Sequence, residues 1–369
     1  MRLFINTQEL YAGISTVIKA LPTRTTVSVL EGIYLEAANN TLLLRCTDLT
    51  LQIETTVHAE VFEEGAIILP GRLFSEMVRR LPAEMTLIEE KDLTAVIESG
   101  AFRTTLQGED PKNFITMSTV AREHVVKMRC SAFKDMIRQC IFAAAQDDAK
   151  PILAGALLEQ HGGELSLVAL DGYRLAIRRE TISGGMAGER TAVVPARSLM
   201  EISKILPDAE DEFEMIFSNT HVLIDLVHTN ITARQMDGEY IKYKQILPEG
   251  HKTRVRVNRE ELTGGIDRVA LMAREGKSNL IKFTFAGDLL TIAANSELGR
   301  SHEEVDVDIM GDDIEIAFNA KYFSDVMKVL EDEDVYLDMN NNISPCVVSP
   351  IHGNSYYYLI LPVRLFNGM

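Results

Sequence analysis

Three cations stand seven positions ahead of a second cation: Arg72 before Arg79, Arg197 before Lys204, Lys321 before Lys328. An acid lies between each pair, at Glu76, Glu201 and Asp325. The surrounding segments, Pro70–Leu81, Pro195–Leu206 and Asn319–Leu330, align without gaps, and their apolar positions match as well. Those positions are Phe74, Leu199 and Phe323; Met77, Ile202 and Val326; Leu81, Leu206 and Leu330. At about 100° per residue, both cations and the acid fall in one sector of a helix, with the apolar set opposite. Each segment therefore reads as a helix that buries one face and shows a basic stripe on the other. The chemistry this offers is weak, sequence-independent attraction for phosphate.

Catalytic chemistry has no comparable signal. The sequence holds no G-x-x-x-x-G-K-[ST], G-x-G-x-x-G or G-x-S-x-G motif. Its eight histidines never take H-x-x-x-H or H-E-x-x-H spacing, which argues against zinc, and no cofactor is expected. His161-Gly162-Gly163-Glu164 reads as a strand-connecting turn rather than a metal or phosphate loop. Val168 to Ile177 reads as strand, turn, strand around Asp171-Gly172, the strongest short hairpin signal. Asp171 is then expected to cap that turn rather than to serve as a general base.

The elements that position the stripes also come in threes. Leu10, Ile14, Val17 and Ile18 mark one buried helical stripe, repeated by Phe133, Ile137, Cys140 and Ile141 and again by Leu262, Ile266, Val269 and Ala270. The interval is about 125 residues each time, the signature of internal repetition. Short alternating runs follow the helices, such as Phe102–Gln107, Glu164–Leu170 and Tyr356–Leu361. Two helices with several antiparallel strands per unit is an α+β layout, helices packed on one side of sheet. The expected breaks give three domains at 1–121, 122–250 and 251–369.

At 369 residues, 46% hydrophobic and 25% charged, the chain has the composition of a globular protein of several domains. Met1–Asn6 enters a strand-like alternation and reads as no signal peptide, and no apolar run approaches a membrane span. Scattered Cys46, Cys130, Cys140 and Cys346 read as reduced thiols of a cytoplasmic protein. A net charge of −17 argues against a surface that grips nucleic acid everywhere, while leaving room for one basic face. The acids Asp208–Glu214, Glu303–Asp308 and Glu331–Asp334 cluster away from the stripes and are expected in solvated outer loops.

Four pieces in order, with the threefold repeat, carry a resemblance over the whole length. They are Cys46-Thr47-Asp48-Leu49, Asp171-Gly172-Tyr173-Arg174-Leu175-Ala176, Phe318-Asn319-Ala320-Lys321-Tyr322 and Leu361-Pro362-Val363-Arg364-Leu365. In these the chain resembles the bacterial sliding clamps, the beta subunits of DNA polymerase III. The resemblance implies a non-catalytic head-to-tail homodimer, a six-domain ring around duplex DNA with helices lining the hole and sheets outside. It implies short-motif partners: the polymerase catalytic subunit, the clamp loader, and mismatch-repair and translesion proteins. The peptide groove it implies is lined by Leu153, Gly172, Tyr173, Arg174, Leu175, Ile246, Asn319, Tyr322, Ile343, Leu359, Leu361, Pro362, Val363 and Arg364. The ring interface would use Leu106, Leu271 and Met272, with Thr104 where an aromatic can occur. DNA would meet Arg24, Arg72, Arg79, Arg80, Arg197, Lys204, Lys321 and Lys328.

Departures from the family pattern bear on peptide preference. Tyr173 stands where histidine is common and Leu170 where threonine is; Ile241 and Ser278 replace a proline and an aromatic of some members. Phe366–Met369 extend past the usual Arg-Leu end. Two other readings stay open at this point: a clamp-like scaffold that binds proteins without loading on DNA, and an enzyme built on the Asp-Gly turn or His161.

Overall fold

The computed structural model describes every residue except 119, 147–149, 185–187, 277–278 and 365–369, so Ser278 and the last five residues lie outside it. The chain forms two compact units. One comprises Met1–Ser131, Ile182–Ala187 and Arg197–Met236; the other comprises Ala132–Thr181, Gly188–Ala196 and Asp237–Met369.

Six α-helices occur among the described residues: α1 (Thr7–Val17), α2 (Gly71–Val78), α3 (Cys130–Cys140), α4 (Ala196–Ser203), α5 (Arg259–Glu275) and α6 (Ala320–Met327). Asparagines start three of them. Asn6 accepts from the amides of Gln8 and Glu9, Asn258 from those of Glu260 and Glu261, and Asn319 from that of Lys321. Each such cap satisfies amides that have no partner inside the helix. Leu10, Ile14 and Val17, then Phe133, Ile137 and Cys140, then Leu262, Ile266, Val269 and Ala270 are all buried, as the spacing predicts. Ile18 and Ile141 are only half-buried, because each begins a 3-10 turn in which the 100° progression fails.

The second helices are shorter than their repeated segments. Arg80 and Leu81 donate to carbonyls three residues back, so α2 ends in a tightened turn, and Pro82 follows. That tightening leaves Met77 and Leu81 half-buried and gives the core position to Val78. In α4 and α6 and just past their ends the expected residues, Leu199, Ile202, Leu206, Phe323, Val326 and Leu330, are buried.

The strands repeat as closely as the helices. Counting within each repeat, the fifth, first, seventh, eighth and ninth strands pair in that order, and so do the fourth, third, second and sixth. In the third repeat, fourth and fifth are one long strand, Gly299–Met310, whose first part pairs with Leu289–Ser296 and last part with Thr253–Asn258. Successive repeats join through a single antiparallel pair, the fourth strand of one with the ninth of the next. Leu51–His58 takes Thr229–Arg234, with Thr55 opposite Thr229 and their hydroxyls 2.7 Å apart. Arg174–Thr181 takes Tyr356–Ile360, with Ala176 opposite Tyr358. Two edges carry no such partner among the described residues: Phe102–Gln107 and the outer side of Gly299–Asp306.

The acidic runs are not all loops. Glu303–Asp308 is strand, alternating with buried Val305 and Val307, and Glu212 and Glu214 likewise sit on a strand beside buried Phe213. Alternation puts Glu304, Asp306 and Asp308, and likewise Glu212 and Glu214, on the wet face of the sheet, which accommodates charge as well as a loop does. Glu303 instead shares the face of Val305 and Val307 and pairs with Arg268 of α5 at 2.9 Å.

Burial raises the hydroxyl pKa of Tyr240, Tyr243, Tyr356, Tyr357 and Tyr358 above the ordinary value, that of Tyr357 to about 12. Below about pH 10 both folded and unfolded forms hold these protons; above it the unfolded chain releases them first. Stability of the unit that contains Asp237–Met369, where all five tyrosines lie, is thus expected to be flat to about pH 10 and to fall between about pH 10 and 12. Urea midpoints followed from pH 8 to 11.5 check this; a midpoint flat to pH 11.5 would contradict it.

Candidate functional site

Two constellations hold the residues singled out by the sequence. The first is the set of basic helices. Arg24, Arg72, Arg79, Arg80, Arg197, Lys204, Lys321 and Lys328 are all exposed. Arg79 and Lys328 are the C-caps of α2 and α6, and Lys204 directly follows the last residue of α4. A cation there opposes the negative end of the helix dipole, so the positions are favoured before any ligand arrives. The Arg72 guanidinium donates to the Pro22 carbonyl at 3.0 Å, tying α2 to the loop that carries Arg24. Lys19, which the sequence reading passed over, lies close enough to Glu201 and Lys204 to feel both, and burial holds its pKa below the usual lysine range.

The intervening acids behave differently in the three repeats. Glu76 pairs with Arg79 at 2.7 Å and Arg80 at 3.1 Å, and Glu201 pairs with Lys204 at 2.8 Å. Asp325 instead receives the guanidinium of Arg174 at 2.6 Å.

Arg174 is the centre of the second constellation. Leu170 pairs with Leu175 across the turn, and Gly172 adopts φ 93°, a conformation that side chains disfavour. Asp171 Oδ1 accepts from the amides of Tyr173 and Arg174 at 2.9 and 3.0 Å, the turn-capping role expected of it. Asp171 Oδ2 and Asp325 receive the Arg174 guanidinium on one side, and the Phe142 carbonyl receives it at 2.7 Å on another. The same group lies 5.2 Å from the Phe142 ring centre and 4.8 Å from that of Tyr322. With 7% of its surface exposed, Arg174 is a buried joint between the turn and α6.

Two tyrosine rings lie beside that joint. The exposed ring of Tyr173 stacks on Tyr322 with centres 6.0 Å apart and planes 22° apart. Burial, with Asp171 nearby, raises the Tyr322 hydroxyl pKa. The Leu361 amide donates to the Tyr173 carbonyl and the Val363 amide to that of Ala317. These bonds lay residues 361–363 between the turn and the strand leading into α6. Ile343 is exposed in a loop held by the Asn341 side chain, just before a strand that pairs with Tyr356–Ile360. Ile246, also exposed, ends a 3-10 turn anchored by Tyr243 and Lys244 on Glu159. Pro362 is half-buried and Arg364 exposed, and Asn319 caps α6. Leu153, Leu175 and Leu359 differ from the rest: at 2–3% exposure they are core beneath this surface.

The remaining sequence candidates lie beside the two unpaired strand edges. Leu106 is buried on Phe102–Gln107, while Phe102 is exposed. Leu271 is exposed on α5, and Met272 receives the Ser296 hydroxyl at 2.9 Å near the turn before Gly299. Leu298, at 76% exposure, belongs to this patch and was missed because a lone leucine in a turn has no periodic signal. Among the described residues no three His, Cys, Asp or Glu converge as a metal site, and no helix is long and apolar enough to cross a membrane.

Comparison with known proteins agrees along the whole chain. Residues 1–118, 127–242 and 244–364 match the N-terminal, central and C-terminal domains of the DNA polymerase III beta subunit. The beta sliding clamp of Staphylococcus epidermidis is 29% identical over 360 residues, 95% of each chain, and that of Staphylococcus aureus is equally similar. A putative DNA polymerase III beta subunit from Eubacterium rectale superposes with a TM-score of 0.95 at 34% identity. The DNA polymerase sliding clamp of Bacillus subtilis superposes with a TM-score of 0.96 at 29%. Both structures cover 99% of this chain and are themselves covered fully. Its three clamp domains, its repeat order and its whole-length relatives place one conclusion beyond the individual sites: the chain belongs to the DNA polymerase III beta-subunit family of sliding clamps, processivity factors rather than enzymes.

Proposed function

We propose that two copies of this chain close head to tail into a six-domain ring around duplex DNA and tether the replicative polymerase there. The strand edges carry this reading. Each repeat offers its fourth strand forward and its ninth strand back, and within one chain two of the three possible junctions are made. Gly299–Asp306 and Phe102–Gln107 are the strands left over. A second copy supplies the missing pair twice, in a heterologous contact that closes by symmetry. Leu271, Met272 and Leu298 beside one edge, and Phe102 and Leu106 on the other, give that pair its apolar content. The repeats divide near 121 and 250.

The basic helices face the DNA through weak phosphate contacts. The Tyr173–Leu361 surface is the groove for short peptides of the polymerase catalytic subunit, the clamp loader, and mismatch-repair and translesion proteins. Holding a partner on DNA raises its effective concentration without any tight grip on the duplex. The protein works in the cytoplasm, where the chromosome is copied. A Pseudomonas aeruginosa clamp bound to griselimycin, 26% identical, supports the view that this fold takes ligands.

The test is topological. Protein of twice the 41.2 kDa chain mass, loaded onto nicked circular DNA, is expected to stay on circles and run off once they are cut. A monomer, or equal loss from circles and linear DNA, would overturn the ring.

A further inference from the structure

The acids inside the basic stripes are the feature that function leaves unexplained. A surface meant only to attract phosphate gains nothing from Glu76 and Glu201. Each carboxylate occupies the same helical sector as the cations and pairs with them at 2.7–3.1 Å. Glu76 is 54% exposed and so available to face whatever the cations face. Asp325 has the equivalent position and its equivalent neighbour is Lys328, yet it is committed to buried Arg174. Two of the three stripes thus carry a competing anion, and the third has had its anion withdrawn.

We propose that Glu76 and Glu201 are mobility-determining residues: built-in competitors for the DNA phosphates that keep the ring from adhering as it slides. A cation leaving a phosphate ordinarily waits unpaired until the next one, and that wait is the barrier to a step. With a carboxylate on the same face, Arg79, Arg80 and Lys204 exchange one anion for another. The carboxylate also repels the phosphate directly, lowering affinity in the resting position. Exposed ion pairs of this kind are individually weak, which suits a partner that must let go many times per second.

This rests on the DNA-facing assignment of the stripes, and the experiment separates the two. The variant Glu76→Gln/Glu201→Gln keeps side-chain size and every cation. Its binding to duplex DNA, measured against salt, is expected to steepen by about 0.9 in log–log slope per released cation, up to three cations per chain. Diffusion of the loaded ring along single DNA molecules is expected to slow several-fold. Glu315→Gln, which removes one charge from the Lys282 pair on a strand, is the charge-matched control for Glu76→Gln alone and is expected to change neither. Unchanged slope and unchanged diffusion in the double variant would overturn the proposal. So would an equal change in Glu315→Gln. If reversing the cations weakens DNA retention while Glu→Gln changes nothing, the stripes face DNA and only the competitor role fails. If neither matters, the DNA-facing assignment fails with it.

Discussion

Arg79→Glu/Lys204→Glu/Lys328→Glu is expected to cut clamp-dependent processive synthesis at least tenfold, with the loaded ring lost from circular DNA at moderate salt. Each reversal removes a phosphate partner and adds a repulsion, three times per chain and six times per ring. At about 0.9 in salt slope per phosphate, the variant should lose up to about 5 from the slope of its DNA binding. The three positions close or directly follow helices α2, α4 and α6. A glutamate there costs about 0.3–1 kcal/mol against the helix dipole, small enough for the fold to persist. Primer extension on a long circular template, with circular dichroism alongside, decides the matter. Wild-type processivity in a folded triple variant would mean that these cations point at something other than DNA.

Arg174→Ala should have the largest effect at the groove. It leaves the Asp171 and Asp325 carboxylates and the Phe142 carbonyl without their shared donor in a nearly closed site. Breaking a buried ion pair from one side costs roughly 3–5 kcal/mol, because the remaining charge is stranded. Arg174→Lys is expected to rescue little, since an ammonium cannot reach three acceptors in a fork or stack on Tyr322. Polymerase-peptide affinity is expected to drop more than tenfold, and amide exchange at Tyr173 and Arg174 to accelerate. Asp325→Asn, which keeps a weaker acceptor, should fall between. Peptide titration and hydrogen exchange read both effects; full affinity in Arg174→Ala would detach the turn from peptide binding.

Much of this was legible in the residues. Helical stripes recurring every 120-odd positions depend on local periodicity, which the core respects, so Leu10, Phe133 and Leu262 came out buried together. The Asp171 cap is a local device as well, settled within three residues. What did not show was whatever is decided across long separations. The burial and pairing of Arg174 cannot be read from its own stretch, because Asp325 arrives from 151 positions away. The split fate of Glu76 and Asp325, alike in the aligned segments, has the same origin. The strand Gly299–Met310 was hidden differently: its alternation is present, but four acids among twelve residues outweigh it as a loop signal.

The pairing of Thr55 with Thr229 spans 174 residues, and it sets an order on synthesis. At roughly 5–20 residues per second, about 10–35 s separate the emergence of these two strands from the ribosome. For that interval Leu51–His58, with Leu51 and Ile53 destined for the core, presents a bare strand edge to the cell. The nascent first repeat is therefore where a chaperone earns its place, and slowing translation after residue 58 should aggravate aggregation of this chain more than slowing it after residue 234.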